Sequence, residues 1–267
     1  MFLAIDCGNT NVVFALYRDE NKNMPIIWRC RSDDSFTADE YASWLLPLLQ
    51  NERLSFTDIT DVLIGSVVPD VNFNLRRLCE KYFKIEAIFI KPDGSNCGIG
   101  VNLPEPKKVG ADQLVNAVAV VNKYKLPCVV IDFGTATTFD IVNKDGEYSG
   151  AVICPGVNLS VDALYRAAAL LPKIVVDRPE KVIGYNTVTA MQSGLYWGYV
   201  SMIEGIVKRI TAEIREKTTI IATGGLSPLF MDATDVIDYA DPELTLEGLR
   251  LVHLQNKQQH EVVQTAA

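Results

Sequence analysis

Asp6-Cys7-Gly8-Asn9-Thr10-Asn11 and Asp132-Phe133-Gly134-Thr135-Ala136-Thr137 present one order of residue types twice, about half the chain apart. Each follows a short apolar run, residues 2–5 and 128–131, and leads into a second, β-rich one, 12–16 and 138–142. A glycine lets the backbone come close to a bulky anion with no Cβ in the way. Successive N–H groups can then point inward as a nest of donors. Asn9, Thr10 and Asn11 add short polar side chains to the first turn, and Thr135, Thr137 and Thr138 add theirs to the second. A carboxylate cannot bind phosphate directly. Asp6, at the end of its strand, is instead expected to hold Mg²⁺ through a water that bridges to phosphate. One such turn reads as an ordinary tight hairpin. Two at matching points of two halves point to phosphate.

Two further segments carry candidate chemistry. Thr223-Gly224-Gly225-Leu226-Ser227 follows an apolar strand. Its paired glycines either let a purine or ribose approach the backbone or make a plain strand–helix turn. Gly110-Ala111-Asp112-Gln113 opens a helix, and Asp112 reads either as its N-cap or as a general base that orients a hydroxyl. A helix N-terminus lowers a carboxylate pKa, so Asp112 is expected to be a weak base. Phosphoryl transfer tolerates that, since positioning and charge neutralisation supply most of the catalysis.

Other sites are excluded. There is no G-x-x-x-x-G-K-[ST] phosphate loop. Asp132-Phe133-Gly134 lacks the rest of the protein-kinase set, and Gly98-Ile99-Gly100 lacks the third glycine of a dinucleotide fingerprint. The two histidines, His253 and His260, lie near the C-terminus, away from any place a triad or zinc site would need them. A net charge of −8 with no basic cluster argues against a nucleic-acid groove. The six cysteines have no C-x-x-C spacing and read as reduced thiols of a cytoplasmic protein. No apolar run approaches the length of a membrane helix. Asp6 interrupts the first one too early for a signal peptide.

The elements that must position these residues follow from periodicity. Strands are expected at 2–6, 12–17, 26–31, 62–67, 87–90, 128–132, 137–143, 147–154, 219–222 and 235–238. Helices are expected at 37–50, capped by Thr37 and Glu40, and at 70–82, 111–124, 159–171, 187–217 and 244–254. Gly194, Gly198 and Gly205 would mark close packing or bends in the long helix. A turn is expected at Pro228. The Pro- and Gly-rich stretch 91–109 reads as a junction. Residues 1–108 and 109–255 then form two lobes and 256–267 a polar, fraying tail. This is an α/β protein with two mixed-sheet lobes around a nucleotide cleft.

With these residues in hand, the chain resembles the type III pantothenate kinases from Met1 to about His253. The matching segments are I-D-C-G-N-T-N at 5–11, V-G-A-D at 109–112, D-F-G-T-A-T-T at 132–138, P-G-V-N-L-S at 155–160, N-T-V at 186–188 and T-G-G-L-S at 223–227. The resemblance implies a duplicated ribonuclease-H-like, actin-like ATPase fold and ATP-dependent phosphorylation of pantothenate, the first step toward coenzyme A. It implies ATP contacts from Asp6, Cys7, Gly8, Asn9, Thr10, Asn11, Val12, Val13 and Thr135, to which the reading of the turns themselves adds Gly134, and Gly224 and Gly225 on the purine or ribose side. It implies Asp112 as proton acceptor, and Gly110, Ala111, Asp112, Gln113 and Thr187 around pantothenate. It gives Asp132 a potassium or ammonium ion, and the chain a homodimeric state. Read without the family, Thr187 is a helix N-cap.

Gln113 departs from the family pattern, which has arginine after G-A-D. Glutamine lacks the fixed charge that suits a carboxylate. A lost charge-assisted bond of about 1.5–3 kcal/mol would weaken substrate binding, unless Lys107 or Lys108 compensates. Residues 98–111 also lack the aromatic that many relatives place before G-A-D. The departure leaves open a nucleotide-binding regulator with weakened kinase activity. A phosphatase or another small-molecule kinase of the same superfamily is a further alternative.

Overall fold

The computed structural model describes residues 1–22, 24–105, 109–167 and 170–265. In chain order the elements begin with β1 (Phe2–Cys7), β2 (Asn11–Tyr17), β3 (Ile26–Arg31), α1 (Ala38–Asn51) and β4 (Asp61–Ser66). Next come α2 (Pro69–Leu78), β5 (Ile88–Phe89), β6 (Gly100–Val101) and α3 (Ala111–Lys123). The second half holds β7 (Cys128–Phe133), β8 (Ala136–Val142), β9 (Glu147–Pro155), α4 (Val157–Ala167) and α5 (Thr187–Ile214). It continues through β10 (Thr219–Thr223), α6 (Ser227–Met231), β11 (Tyr239–Ala240) and α7 (Leu244–Thr265).

The chain divides into two compact units, Met1–Ala119 with Thr245–Ala267, and Val120–Leu244. The strands of the first run β3-β2-β1-β4-β5, and those of the second run β9-β8-β7-β10-β11. In each, two antiparallel pairs are followed by parallel ones. β1 and β7 are buried in the same residue-by-residue pattern, with only the aspartate half-open. The strands that carry the two turns are therefore central in their sheets, and their apolar runs fill two separate cores.

Local chemistry explains the edges of the elements. Thr37 and Glu40 close the expected capping box of α1, and Tyr41, Leu45 and Leu49 are buried along its stripe. α5 stops at Ile214 rather than 217, because Arg215 takes a left-handed φ of 60°. Pro228 falls in the first turn of α6, where its missing N–H costs nothing, so a short helix replaces the expected turn. The strand expected at 235–238 lies instead at Tyr239–Ala240: the Asp238 carboxylate accepts from the Ile220 N–H at 2.8 Å and so ends the preceding loop. The glycines of α5 do not mark close packing among the described residues. A Cβ on Gly194 or Gly198 would meet nothing, and on Gly205 only the Arg209 side chain.

The units differ from the lobes drawn at 108/109 and 255. The chain leaves the first unit inside α3, and α7 returns to it. The Tyr17 hydroxyl donates to the Leu246 carbonyl at 3.2 Å, and Arg250 donates to the Glu20 carbonyl at 2.8 Å. The His253 ring stacks on Phe2 at 3.9 Å and meets the Glu20 carboxylate at 2.9 Å. Lys257 donates to the same carboxylate. α7 runs past 254 into the stretch whose composition suggested fraying, and Lys257 is the residue of that stretch among these contacts.

Candidate active site

In the first turn, β1 and β2 pair through Asp6 with Val13 and Cys7 with Val12, leaving Gly8, Asn9 and Thr10 as the loop. The Gly8 N–H donates to the Asn11 carbonyl at 3.0 Å, and the Ser32 N–H to the Thr10 carbonyl at 3.0 Å. Asn9, Thr10 and Asn11 are exposed, whereas the Cys7 and Val12 side chains lie in the core. Toward a ligand Cys7 and Val12 offer backbone groups only. Burial also pushes the Cys7 thiol up, outweighing hydrogen bonds from Ser66 and Ser32, which leaves it inert.

The second turn has one residue fewer. Asp132 pairs with Thr138 and Phe133 with Thr137, and the Gly134 N–H donates to the Ala136 carbonyl at 3.0 Å. Gly134 and Thr135 are exposed. Thr137 and Thr138 do not serve the turn as expected. Thr137 is fully buried with no partner for its hydroxyl, and Thr138 donates to the Asp140 carboxylate at 2.7 Å.

Neither Gly8 nor Gly134 has a positive φ, and a Cβ on either would come no closer than 3.5 Å to a neighbour. Chain geometry does not require glycine at either place. What the two glycines keep clear is the space directly over the turn, a cradle that a side chain would fill and that suits phosphate. Gly224 is different. Its φ is 86°, and a Cβ would lie 2.8 Å from the Asp132 carboxylate and from the Phe133 carbonyl. It is glycine so that the end of β10 can press against β7. Gly225 has open space around it.

Sequence reasoning missed the support of the second turn. A Cβ on Gly156 would sit 2.1 Å from the Thr135 carbonyl oxygen and 2.7 Å from that of Gly134. The start of α4 therefore rests on the turn. The Tyr199 hydroxyl, from α5, donates to the Pro155 carbonyl at 2.9 Å and lies 2.6 Å from the Ser160 hydroxyl. The P-G-V-N-L-S segment was a signal for Gly156; nothing in the sequence pointed to Tyr199.

The Gly110–Gln113 turn belongs to the first unit with the Asp6 turn. Asp6 pairs with Gly65 on β4, and a Cβ on Gly65 would touch Ala111 and Leu249. α3 is further fixed by α7. A Cβ on Gly248 would lie 2.0 Å from the Val115 carbonyl, and Thr245 donates to the buried Asn116 at 2.8 Å. The Leu114 N–H bonds to the Gly110 carbonyl at 3.1 Å, so Gly110 is the cap and Asp112 stands inside the first turn. Asp112 is not the N-cap, and its carboxyl is not depressed. Burial raises it above the ordinary 3.8, outweighing the Gln113 N–H that donates to it at 2.8 Å. The residue keeps part of its surface open.

Thr187 is the exposed first residue of α5, at a distance along the chain from the second turn. The cap there is Asn186, whose side chain accepts from the Thr189 N–H at 2.9 Å. Lys107 and Lys108 lie outside the described residues. Among the described residues no three His, Cys, Asp or Glu side chains form a metal cluster. Single carboxylates at Asp6 and Asp132 suit ions whose other ligands are phosphate, water or hydroxyl. The buried Thr223 hydroxyl has no partner and is in register with Asp132 on the next strand, a donor set that fits a monovalent cation. No helix among the described residues is long and apolar enough to cross a membrane.

Comparison with known proteins adds a family. The sequence profile described as type III pantothenate kinase matches residues 2–209. A Paramagnetospirillum magneticum protein named type III pantothenate kinase is 51% identical over 256 residues, covering 96% of this chain and 98% of its own. Two solved structures share the fold at low identity. A candidate Baf-family transcriptional activator of Campylobacter jejuni has a TM-score of 0.60 at 16% identity, covering 96% of this chain and 99% of its own. A candidate 2-dehydro-3-deoxygalactonokinase of Sinorhizobium meliloti has 0.58 at 12%, covering 96% of each. The twin sheets are thus the expected duplicated ribonuclease-H-like, actin-like fold.

Proposed function

The chain belongs to the type III pantothenate kinase family, and on that footing we propose how its residues divide the work of phosphorylating pantothenate with ATP. The observation that carries the assignment is the pair of turns whose glycines answer to no demand of the chain itself. Backbone N–H groups from Asp6 to Val13 and at Gly134 and Thr135 take the phosphate oxygens, and Asn9, Thr10, Asn11 and Thr135 add side-chain donors. Gly224 and Gly225 serve the nucleoside side, Gly224 by shaping the strand end and Gly225 by leaving room.

Asp112 is the proton acceptor. The primary hydroxyl oxygen of pantothenate attacks the γ-phosphorus, its proton passes to the Asp112 carboxylate, and the bond to ADP breaks with the electron pair leaving on ADP. Burial supports this role, because a carboxylate held above its ordinary pKa is the better base. Gly110, Ala111 and Thr187 line the acceptor pocket. Mg²⁺, when bound, neutralises charge on the transferring phosphates. Asp6 would hold it through water, while Asp132, with the Thr223 hydroxyl, would hold K⁺ or NH₄⁺.

A second copy of the chain covers the apolar surface of the second unit. Leu159, Leu164, Tyr165, Ile183 and Tyr185 are exposed there, the last two more than 80%. Ala190, Gly194, Gly198 and Ser201 are exposed at roughly helical spacing along α5. Free cysteines throughout agree with a reducing, cytoplasmic setting. A coupled ADP-release assay with and without pantothenate, and with and without K⁺, tests the reading. Turnover should require pantothenate and rise with K⁺; turnover indifferent to pantothenate would overturn it.

A further inference from the structure

We propose that Gln113 is a positioning residue for Asp112, not the anchor of the pantothenate carboxylate. The proposal rests on the reading of Asp112 as proton acceptor. Two bonds tie these residues into one closed turn. The Gly110 N–H donates to the Gln113 side-chain Oε1 at 3.0 Å, and the Gln113 N–H donates to Asp112 Oδ1 at 2.8 Å. The first is half of a capping box, in which the third helical residue reaches back to the cap. It needs an acceptor, and the glutamine amide has one. Arginine carries donors only and cannot make this bond.

Gly110 shows how tightly the turn is drawn. A Cβ there would lie 2.4 Å from Asp112 Oδ1 and 3.2 Å from Gln113 Oε1, so both side chains fold back over the Gly110 α-carbon. Oδ1 is thereby held against the helix start, and Oδ2 is the oxygen left to meet a hydroxyl. Without the Gln113 acceptor the Gly110 N–H loses its partner and the loop before α3 loses its tie. The carboxylate then samples other directions, and small misplacements of a catalytic group cost up to about a hundredfold in rate. The Gln113 carbonyl, already engaged, brings no charge to a substrate carboxylate.

The test compares Gln113→Met, Gln113→Arg and Gln113→Glu in the full-length protein. It measures kcat and KM for pantothenate, the acid limb of kcat against pH, and exchange of the Gly110 amide hydrogen. Met and Arg should lower kcat roughly ten- to a hundredfold, shift the acid limb and speed Gly110 exchange, while KM stays within about threefold. Glu, which keeps an acceptor, should fall least and keep the amide protected. An Arg variant with unchanged kcat and a lower KM would overturn the proposal in favour of an anchor. So would a Met variant with unchanged kcat and pH profile. Asp112→Asn measured in parallel separates the two levels: full turnover there removes the base assignment itself, whatever Gly110 exchange shows.

Discussion

Gly8 and Gly134 are the residues at which the proposed phosphate contacts are most nearly separable from folding. Since a Cβ at either would meet ordinary contacts at most, Gly8→Ala and Gly134→Ala should fold with Tm within a few degrees of the parent. Each should raise KM for ATP about tenfold or more while KM for pantothenate holds, as steady-state kinetics would show. Gly224→Ala should instead unfold readily, because it meets both a left-handed φ and the Asp132 carboxylate. Asp112 sets a second contrast. Asp112→Asn should cost about 10²–10⁴ in kcat yet raise Tm at pH 7. A carboxyl whose folded pKa is raised stabilises the fold only while protonated, and its contribution is lost as pH rises through that pKa. The Tm advantage of the asparagine variant should therefore shrink as pH falls toward the ordinary carboxylate range; an advantage that grows in acid would contradict the burial argument. The sequence reading of a lowered Asp112 carboxyl misjudged its environment, since the dipole of a helix start is visible in a pattern and desolvation by distant residues is not.

At the scale of elements, α5 supports the second turn through the Tyr199 hydroxyl. Tyr199 holds the Pro155 carbonyl, and the next residue, Gly156, carries the weight of the Gly134–Thr135 turn. Tyr199→Phe should cost about 1 kcal/mol of stability and raise KM for ATP several-fold with KM for pantothenate unchanged, measurable by urea unfolding and steady-state kinetics. The strands that end in the turns were legible because burial on both faces makes them continuous apolar runs, and α1 because its cap and stripe agree. β11 was misplaced because a two-residue edge strand carries no period to read. α6 was missed because a proline in a first helical turn looks, in sequence, like a proline in any turn. The end of α5 depends on a left-handed arginine, and α7 is held by partners far along the chain.

For the whole molecule, the stripe of small exposed residues on α5 gives a direct test of self-association. A Cβ placed at the exposed Gly198 would meet nothing within 4 Å, which makes Gly198→Arg the variant to use. The substitution should leave the folded monomer intact while shifting mass by light scattering from two chains to one. A variant that keeps the wild-type mass would move the interface elsewhere. The doubled topology was readable from the repeated turn, but the return of α7 to the first unit was not, because composition marks a proline-rich stretch and has no mark for a returning helix.

That return has a consequence for biosynthesis. β1 is translated well before α7, yet the sheet it belongs to is clasped to that helix through Tyr17, Glu20 and Phe2. Only the Val120–Leu244 unit is continuous in the polypeptide, so it can be completed while its older sibling still waits. A stop codon placed just before α7 should thus spoil the half translated earliest and spare the half translated later.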